Sequence, residues 1–405
     1  MTLADDLVME LLVTPEGRRH PYDRYRRLRE IAPVHKGQGP MWFLTDHTHT
    51  EIVLRDPRMG RVEPGTPPGS LPGDNPPRSQ SAFIRYGVVF LNPPDHTRLR
   101  GLISRVFTPS HVAALRPDVD AIVAQVVRTI LDQREVDVME TLAFEVPIQI
   151  IGEMIGVPPA DRHRFKAVVR DSAAAMEAGV TDEQIAAAAS SMEIMEDYFR
   201  DFVNRRRTEP KDDLTSLLLS ARDIDDRLTE DELIGTLILL YAAGFETTTN
   251  LLGNGVACLL EHPDVFHQLG HDPSLVPAAV EEMARLETPL QVISRTAFEP
   301  TEIDGRPVAP GDTVVMFLGA ANRDPARYDS PDRLLLDRPP TATLAYSAGI
   351  HFCLGANLAR LEGHTVFAAL ARHFRSLTLL DSELAWRGML LMRGLEHLHV
   401  RFEPH

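Results

Sequence analysis

The stretch from Leu344 to Gly363, LAYSAGIHFCLGANLARLEG, holds one cysteine, Cys353, whose thiol could do chemistry. A polar, glycine-bearing loop leads up to it. Directly after it Leu354, Leu358 and Leu361 recur at spacings of four and three, and Ala356, Ala359 and Arg360 are strong helix formers. The spacing predicts a helix with Cys353 at its N-terminal mouth. Unpaired N–H groups and the helix dipole there favour a thiolate over a thiol. His351 and Arg360 add positive charge nearby. Such a thiolate can be a nucleophile, a metal ligand or a haem ligand, and the loop alone leaves all three open.

A second unusual stretch lies inside the longest helical pattern, residues 229–262. Thr229 with Glu232 makes a capping box, and at about 1.5 Å per residue the run would cross a whole domain. Its centre runs Ala243, Gly244, Phe245, Glu246, Thr247, Thr248, Thr249, Asn250. Glycine and three β-branched threonines oppose helix propensity, and a carboxylate in an apolar helix is costly without a task or a partner. Local rules broken at such a place point to a functional site; the plainer alternative is a polar kink, since threonine hydroxyls can capture a helix carbonyl. Two further pairs have helical spacing. His96 and Arg100 are four apart, behind Asp95 as a candidate N-cap, with Arg98 and Arg105 on other faces; alone, this reads as a solvated basic helix. Glu282 and Arg285 are three apart, a pairing worth little if exposed.

The elements that must position these residues are mainly helical. Residues 20–32 put Tyr22, Tyr25, Leu28 and Ile31 on one stripe, followed by a strand in MWFLTDH and a helix in HTHTEIVLRDPRMG. Residues 60–80 are dense in Gly, Pro and Ser; a mobile lid is favoured over a linker because the apolar run FIRYGVVFLNPP follows. From 110 to 225 the pattern is helical, with two helices across 160–207 separated by a turn near Gly179–Thr181. Its alanine-rich segments pack closely or cover a cavity. Short strands are expected around Trp386–Gly388 and Arg393–Gly394. The fold class is mainly α with a smaller β-rich region, as a single domain over 1–405. The β-rich portion covers about 33–60, 290–315 and 375–404, and the helical portion about 95–288 and 354–373.

Composition excludes several classes. A net charge of -16 argues against a nucleic-acid binder and a polybasic membrane anchor. No window approaches the ~18–20 apolar residues of a membrane span, and the acidic N-terminus lacks the basic region of a secretory signal. The only cysteines are Cys258 and Cys353, too few for a disulfide framework, and neither CxxC nor CxxCH occurs. A reducing cytoplasm is the expected compartment.

Four motifs in order resemble the cytochrome P-450 family of haem-thiolate monooxygenases, and the likeness runs from about residue 20 to the end. The cysteine loop is similar to F-G-x-G-x-H-x-C-x-G-x-x-L-A-R through Gly349, His351, Cys353, Gly355, Leu358, Ala359 and Arg360. The long helix resembles A/G-G-x-D/E-T through Ala243, Gly244, Glu246 and Thr247. Glu282 and Arg285 match E-x-x-R, and His96 and Arg100 match H-x-x-x-R. E-x-x-R alone is common by chance; four motifs in order are specific. The chain departs from the pattern at Tyr346-Ser347, where the family has Phe-Gly. A tyrosine can still shield the thiolate, but serine carries a Cβ into a position that favours glycine.

The resemblance implies a helical bundle around haem b, crossed by a long central helix. Cys353 would be the axial ligand to iron, with Leu354 and Gly355 N–H groups toward the sulfur and Tyr346 and Gly349 shaping the loop. His96, Arg100, Arg295 and His351 would hold the propionates. Ala243 and Gly244 would border the haem, Gly244 leaving room for O2. Glu246, with solvent access, and Thr247 would relay protons. Glu282, Arg285 and Arg338 would form a buried structural network. An apolar substrate, of the kind found among secondary-metabolite intermediates, would meet Leu239, Leu290, Val292, Ile293, Leu390, Leu391 and the lid, roughly 66–91. Electrons would come from NAD(P)H through ferredoxin reductase and ferredoxin, docking near Arg98, Arg105 and Arg360. A monomer without membrane or nucleic-acid partners is expected. Coupling chemistry, peroxide-driven oxidation and a haem-binding recruitment module without turnover are the alternatives. Retention of Glu246, Thr247 and Cys353 speaks against the last two.

Overall fold

The structure is a computed structural model that describes residues 2–62, 66–71, 81–174, 181–220, 228–339 and 342–405. Its axis is the helix Glu230–Glu261, 32 residues and roughly 48 Å long. Thr229 starts it: its hydroxyl accepts from the Glu232 N–H while Glu232 reaches back to the Thr229 backbone. His262 and Pro263 end it. Leu237, Ile238, Tyr241, Phe245, Leu252 and Val256 are fully buried, as expected of a helix that is apolar on most faces. It packs in one large core with Arg116–Gln133, Glu145–Ile155, Asp182–Thr208 and Ala356–His373. Gly235 lets the Ala82 carbonyl come close, a Cβ there falling 2.3 Å from its oxygen. This seats the short helix Ala82–Tyr86, the described end of the expected lid; residues 72–80 lie outside the described residues.

A five-stranded sheet sits beside the bundle, in the order Val34–Lys36, Met41–Leu44, Thr313–Phe317, Val292–Ala297, Met59–Gly60. Only Met41–Leu44 and Thr313–Phe317 run parallel. Side chains alternate across it. Trp42, Leu44, Ile293, Val314 and Met316 face one cluster, which also holds Leu344 and Ala348 of the cysteine loop. Phe43, Val292, Val315 and Phe317 face the helices Leu3–Val13 and Pro21–Ile31.

Two local expectations are corrected. Strands in the C-terminal segment lie at its ends, Phe374–Leu379 and His399–Pro404; the middle holds only two isolated bridges, Trp386 with Leu395 and Met392 with Leu290. Side-chain anchors, not a ladder, fix that loop. Pro94, not Asp95, takes the N-cap of Asp95–Ser104, and the Asp95 carboxylate sits in the first turn without a capping bond.

Candidate active site

Cys353 follows a short 3-10 turn, Gly349–His351, and precedes the helix Ala356–His373. Its own N–H donates to the Tyr346 carbonyl at 2.9 Å, folding the loop back on itself. Gly349 has φ +71°, and a Cβ there would stand 2.2 Å from the Leu54 carbonyl oxygen, so glycine is required. Cys353 is solvent-accessible yet densely surrounded by protein, and this burial pushes its thiol up. A Gly355 N–H donated to the sulfur, and the charges of Arg100 and Arg360, oppose that rise. Tyr346 is buried beneath Arg360, whose guanidinium lies 4.3 Å from the ring centre.

Around this loop stands a set of basic side chains. His96 is buried, 4.4 Å from His351 between ring centres, with Nε2 unpartnered. Arg100 donates to the Phe352 carbonyl at 2.6 Å. Arg295, 3% exposed, among the described residues has only the adjacent Ser294 carbonyl at 2.9 Å, and burial pulls it down to about 9 with Arg61 assisting. Arg61 donates to the Val89 and Ser294 carbonyls, and burial lowers it to about 10. Burial, then Arg295, Arg61, His96 and Arg100, drive His351 down to about 2. Among the described residues none of these five forms an ion pair with an acid. Bases gathered and desolvated without a counter-charge fit a bound polyanion, as two propionates would supply. Arg61 escaped sequence reading, since its position after the strand Met59–Gly60 carries no spacing signal.

On the central helix, Ala243 is exposed and Gly244 and Thr247 partly so, although the helix around them is buried. This marks an open space against the middle of the helix. One turn beyond, Leu251 packs with Tyr346 and Ala356, which joins that space to the cysteine loop. Thr247 Oγ1 donates to the Ala243 carbonyl at 2.8 Å, the captured carbonyl that its residue type suggests. Two expectations change here. Glu246 is not solvent-accessible: it is buried and paired with buried Arg387, Nη1 to Oε1 at 2.9 Å. Sequence gave no hint, because Arg387 lies 141 residues away. Gly244 gains a packing role beside the expected one: a Cβ there would fall 2.9 Å from Ile151 Cδ1, so its smallness also eases the contact between the two helices.

Glu282, Arg285 and Arg338 come together. Arg285 is bidentate to Glu282 at 2.6 and 2.9 Å and also donates to the Asn322, Pro331 and Arg333 carbonyls. Arg338 Nε reaches Glu282 at 3.0 Å. Arg285 is 1% exposed, so this is a buried knot of the scaffold rather than a surface pair.

The expected pocket is only partly assembled. Ile293 shares the strand face of Arg295, with Leu290 packed in the same cluster. Val292 points to the opposite face by strand alternation and, with Leu390, packs against the N-terminal helices, so neither lines that side. Leu239 belongs to the helical core, and the Leu391 carbonyl accepts from the Gln291 N–H. The docking cations also change. Arg98 pairs with Glu232 and Arg360 is bidentate to Glu281, so both charges are locally neutralised. Arg105 is exposed.

The cytochrome P-450 family model matches residues 179–384. The chain is 35% identical over 392 residues to a biotin biosynthesis cytochrome P-450 of Bacillus subtilis (strain 168), covering 95% of this chain and 97% of that one. It is 38% identical over 398 residues to the vitamin D(3) 25-hydroxylase of Pseudonocardia autotrophica, covering 95% and 94%. The crystal structure of P-450 BioI with an acyl carrier protein ligated to hexadec-9Z-enoic acid superposes with a TM-score of 0.89 at 33% identity, covering 96% of this chain and 99% of that one.

Proposed function

Because the chain belongs to the cytochrome P-450 family, we propose that it is a haem-thiolate monooxygenase hydroxylating or epoxidising an apolar secondary-metabolite intermediate. The observation that carries the reading is the Cys353 loop, with the Gly355 N–H toward its sulfur, beside a desolvated set of bases that among the described residues has no acid of its own. Haem b, when bound, supplies the iron at which O2 is reduced and one oxygen atom is transferred.

The chain's own residues do the rest. Cys353 would hold the haem iron through its sulfur as a thiolate, and the Gly355 N–H would temper its charge. Arg100, Arg295 and Arg61 would offset the propionate charges, with His96 and His351 beside them as hydrogen-bonding imidazoles. Thr247 keeps its proton on the Ala243 carbonyl, so its lone pairs accept a hydrogen bond from water in the open space. Glu246 is paired with Arg387 and would relay a proton once that pair loosens. Leu290 and Ile293 offer aliphatic contacts.

The vitamin D(3) 25-hydroxylase and the carrier-bound BioI complex support screening two apolar classes, free polycyclic compounds and carrier-linked acyl chains. We place the enzyme in the cytoplasm as a monomer, fed from NAD(P)H by ferredoxin reductase and ferredoxin. None of the described helices is long and apolar enough to cross a membrane. The decisive experiment is the spectrum of the reduced protein under carbon monoxide. A band near ~450 nm that is lost in Cys353→Ser is expected for thiolate ligation; a band near ~420 nm in the native protein refutes the assignment.

A further inference from the structure

Away from the cysteine loop and its basic set, one group of side chains among the described residues has the composition and spacing of a metal site. His397 and His399 flank Leu398 at the start of the C-terminal strand His399–Pro404. Residues two apart on an extended chain share a face. Burial follows that rule: Leu398 and Val400 are fully buried, His397 is half-buried and His399 exposed. The two imidazoles lie 5.1 Å apart between ring centres. Asp381, just past the strand Phe374–Leu379, faces them. Its carboxylate lies 2.9 Å from His399 Nδ1 and accepts the His399 backbone N–H at 3.0 Å. One nitrogen from each histidine and one Asp381 oxygen all fall within 4.8 Å of one another.

We propose that Asp381, His397 and His399 bind a divalent transition metal ion, with Zn2+ as the representative occupant. Two imidazoles and one carboxylate suit zinc and its neighbours, whereas magnesium and calcium prefer all-oxygen sets. At ligand bonds of about 2.0–2.2 Å, tetrahedral geometry sets ligand atoms about 3.3–3.6 Å apart. The three atoms here lie within 4.8 Å of one another, so side-chain rotation has to draw them together around the ion. Three protein ligands leave water to complete the coordination. The His399 N–H on Asp381 is the outer contact that orients the carboxylate.

The position in the fold says what the ion does. Leu380 N–H pairs with the His399 carbonyl at 2.9 Å, closing the strand pair at this point. Asp381 and His397 therefore stand at the two ends of the loop 382–396. Within that loop Arg387 holds Glu246 and Arg393 holds Glu287. The ion ties the neck of the loop that supplies the partner of Glu246. This site stands independently of the haem assignment, since no ligand is shared with it.

The test uses untagged holoprotein treated with a chelator and titrated with Zn2+ by calorimetry. One ion per chain is expected, with affinity at least about tenfold weaker in His397→Ala and in Asp381→Asn. His397→Ala leaves the Asp381–His399 bond in place, so its haem content and fold are expected to match the native protein. His267→Ala is the control, because His267 and His271 form a second close imidazole pair, 4.4 Å between ring centres. Zn2+ is also expected to raise the thermal midpoint and slow hydrogen exchange across 382–396 in the native protein, and to do neither in His397→Ala. Equal affinity in native protein and His397→Ala, or loss of the ion in His267→Ala alone, overturns the proposal.

Discussion

Ser347→Gly is expected to stabilise the protein, through the backbone rather than through any contact. Ser347 sits at φ +60°, ψ -167°, two residues before Gly349 in the loop that presents Cys353. That region is essentially restricted to glycine, and a side chain held there costs about 1–3 kcal/mol. Glycine gives back about 0.5–1 kcal/mol by adding freedom to the unfolded chain. The net gain is about 0–2.5 kcal/mol. The Ser347 hydroxyl is also buried without a partner, so Ser347→Ala is the necessary companion: it removes the hydroxyl and keeps the Cβ. Guanidinium unfolding of the holoprotein, followed by far-UV circular dichroism and Soret absorbance, measures both. The difference between the Gly and Ala variants isolates the strain, and the difference between Ala and Ser isolates the hydroxyl. A Gly variant no more stable than the Ala variant refutes the strain argument. The ~450 nm carbon monoxide band should persist in both, since the Cys353 N–H to Tyr346 bond uses no side chain at 347.

Three further outcomes follow from the same geometry. Arg387→Gln leaves the buried Glu246 carboxylate without a counter-charge, and losing one partner of a buried pair costs up to about 3–5 kcal/mol. Lower stability is expected together with a fall in product formed per NAD(P)H consumed, read by product and peroxide assay. Arg295→Gln should act oppositely on two states: it relieves repulsion among the bases in apoprotein and raises its thermal midpoint, but speeds haem transfer to apomyoglobin. A charge-assisted bond worth about 1.5–3 kcal/mol corresponds to roughly ten- to a hundredfold there. Glu282 resists burial through its bonds to Arg285, so its folded pKa lies below the usual carboxylate range. The unfolded chain then binds more protons, and this stabilisation, complete above about pH 4.5, is lost as pH falls through the lower folded value. Glu282→Gln should flatten the acid side of the stability profile measured in guanidinium, and an unchanged slope would refute it.

Local chemistry is what the sequence determines here. A cysteine at a helix mouth, a capping box at Thr229, and an acid and threonines inside an apolar helix each follow from residue types over a few positions. So do the long helix itself and the strands around Arg295, because period 3.6 and period 2 are properties of neighbours. Ser347 too stood out as a Cβ where a glycine conformation is needed, and its positive φ agrees.

What only the tertiary structure decides is which distant groups meet. Arg387 neutralises Glu246 across 141 residues, Arg61 joins the basic set from another segment, and Glu232 and Glu281 engage Arg98 and Arg360. Gly244 reads alike whether or not Ile151 stands against it, and only the packed helices show that contact. Electrostatic partnership and burial depend on separation in space, and spacing along the chain constrains that only within one helix turn or one strand face.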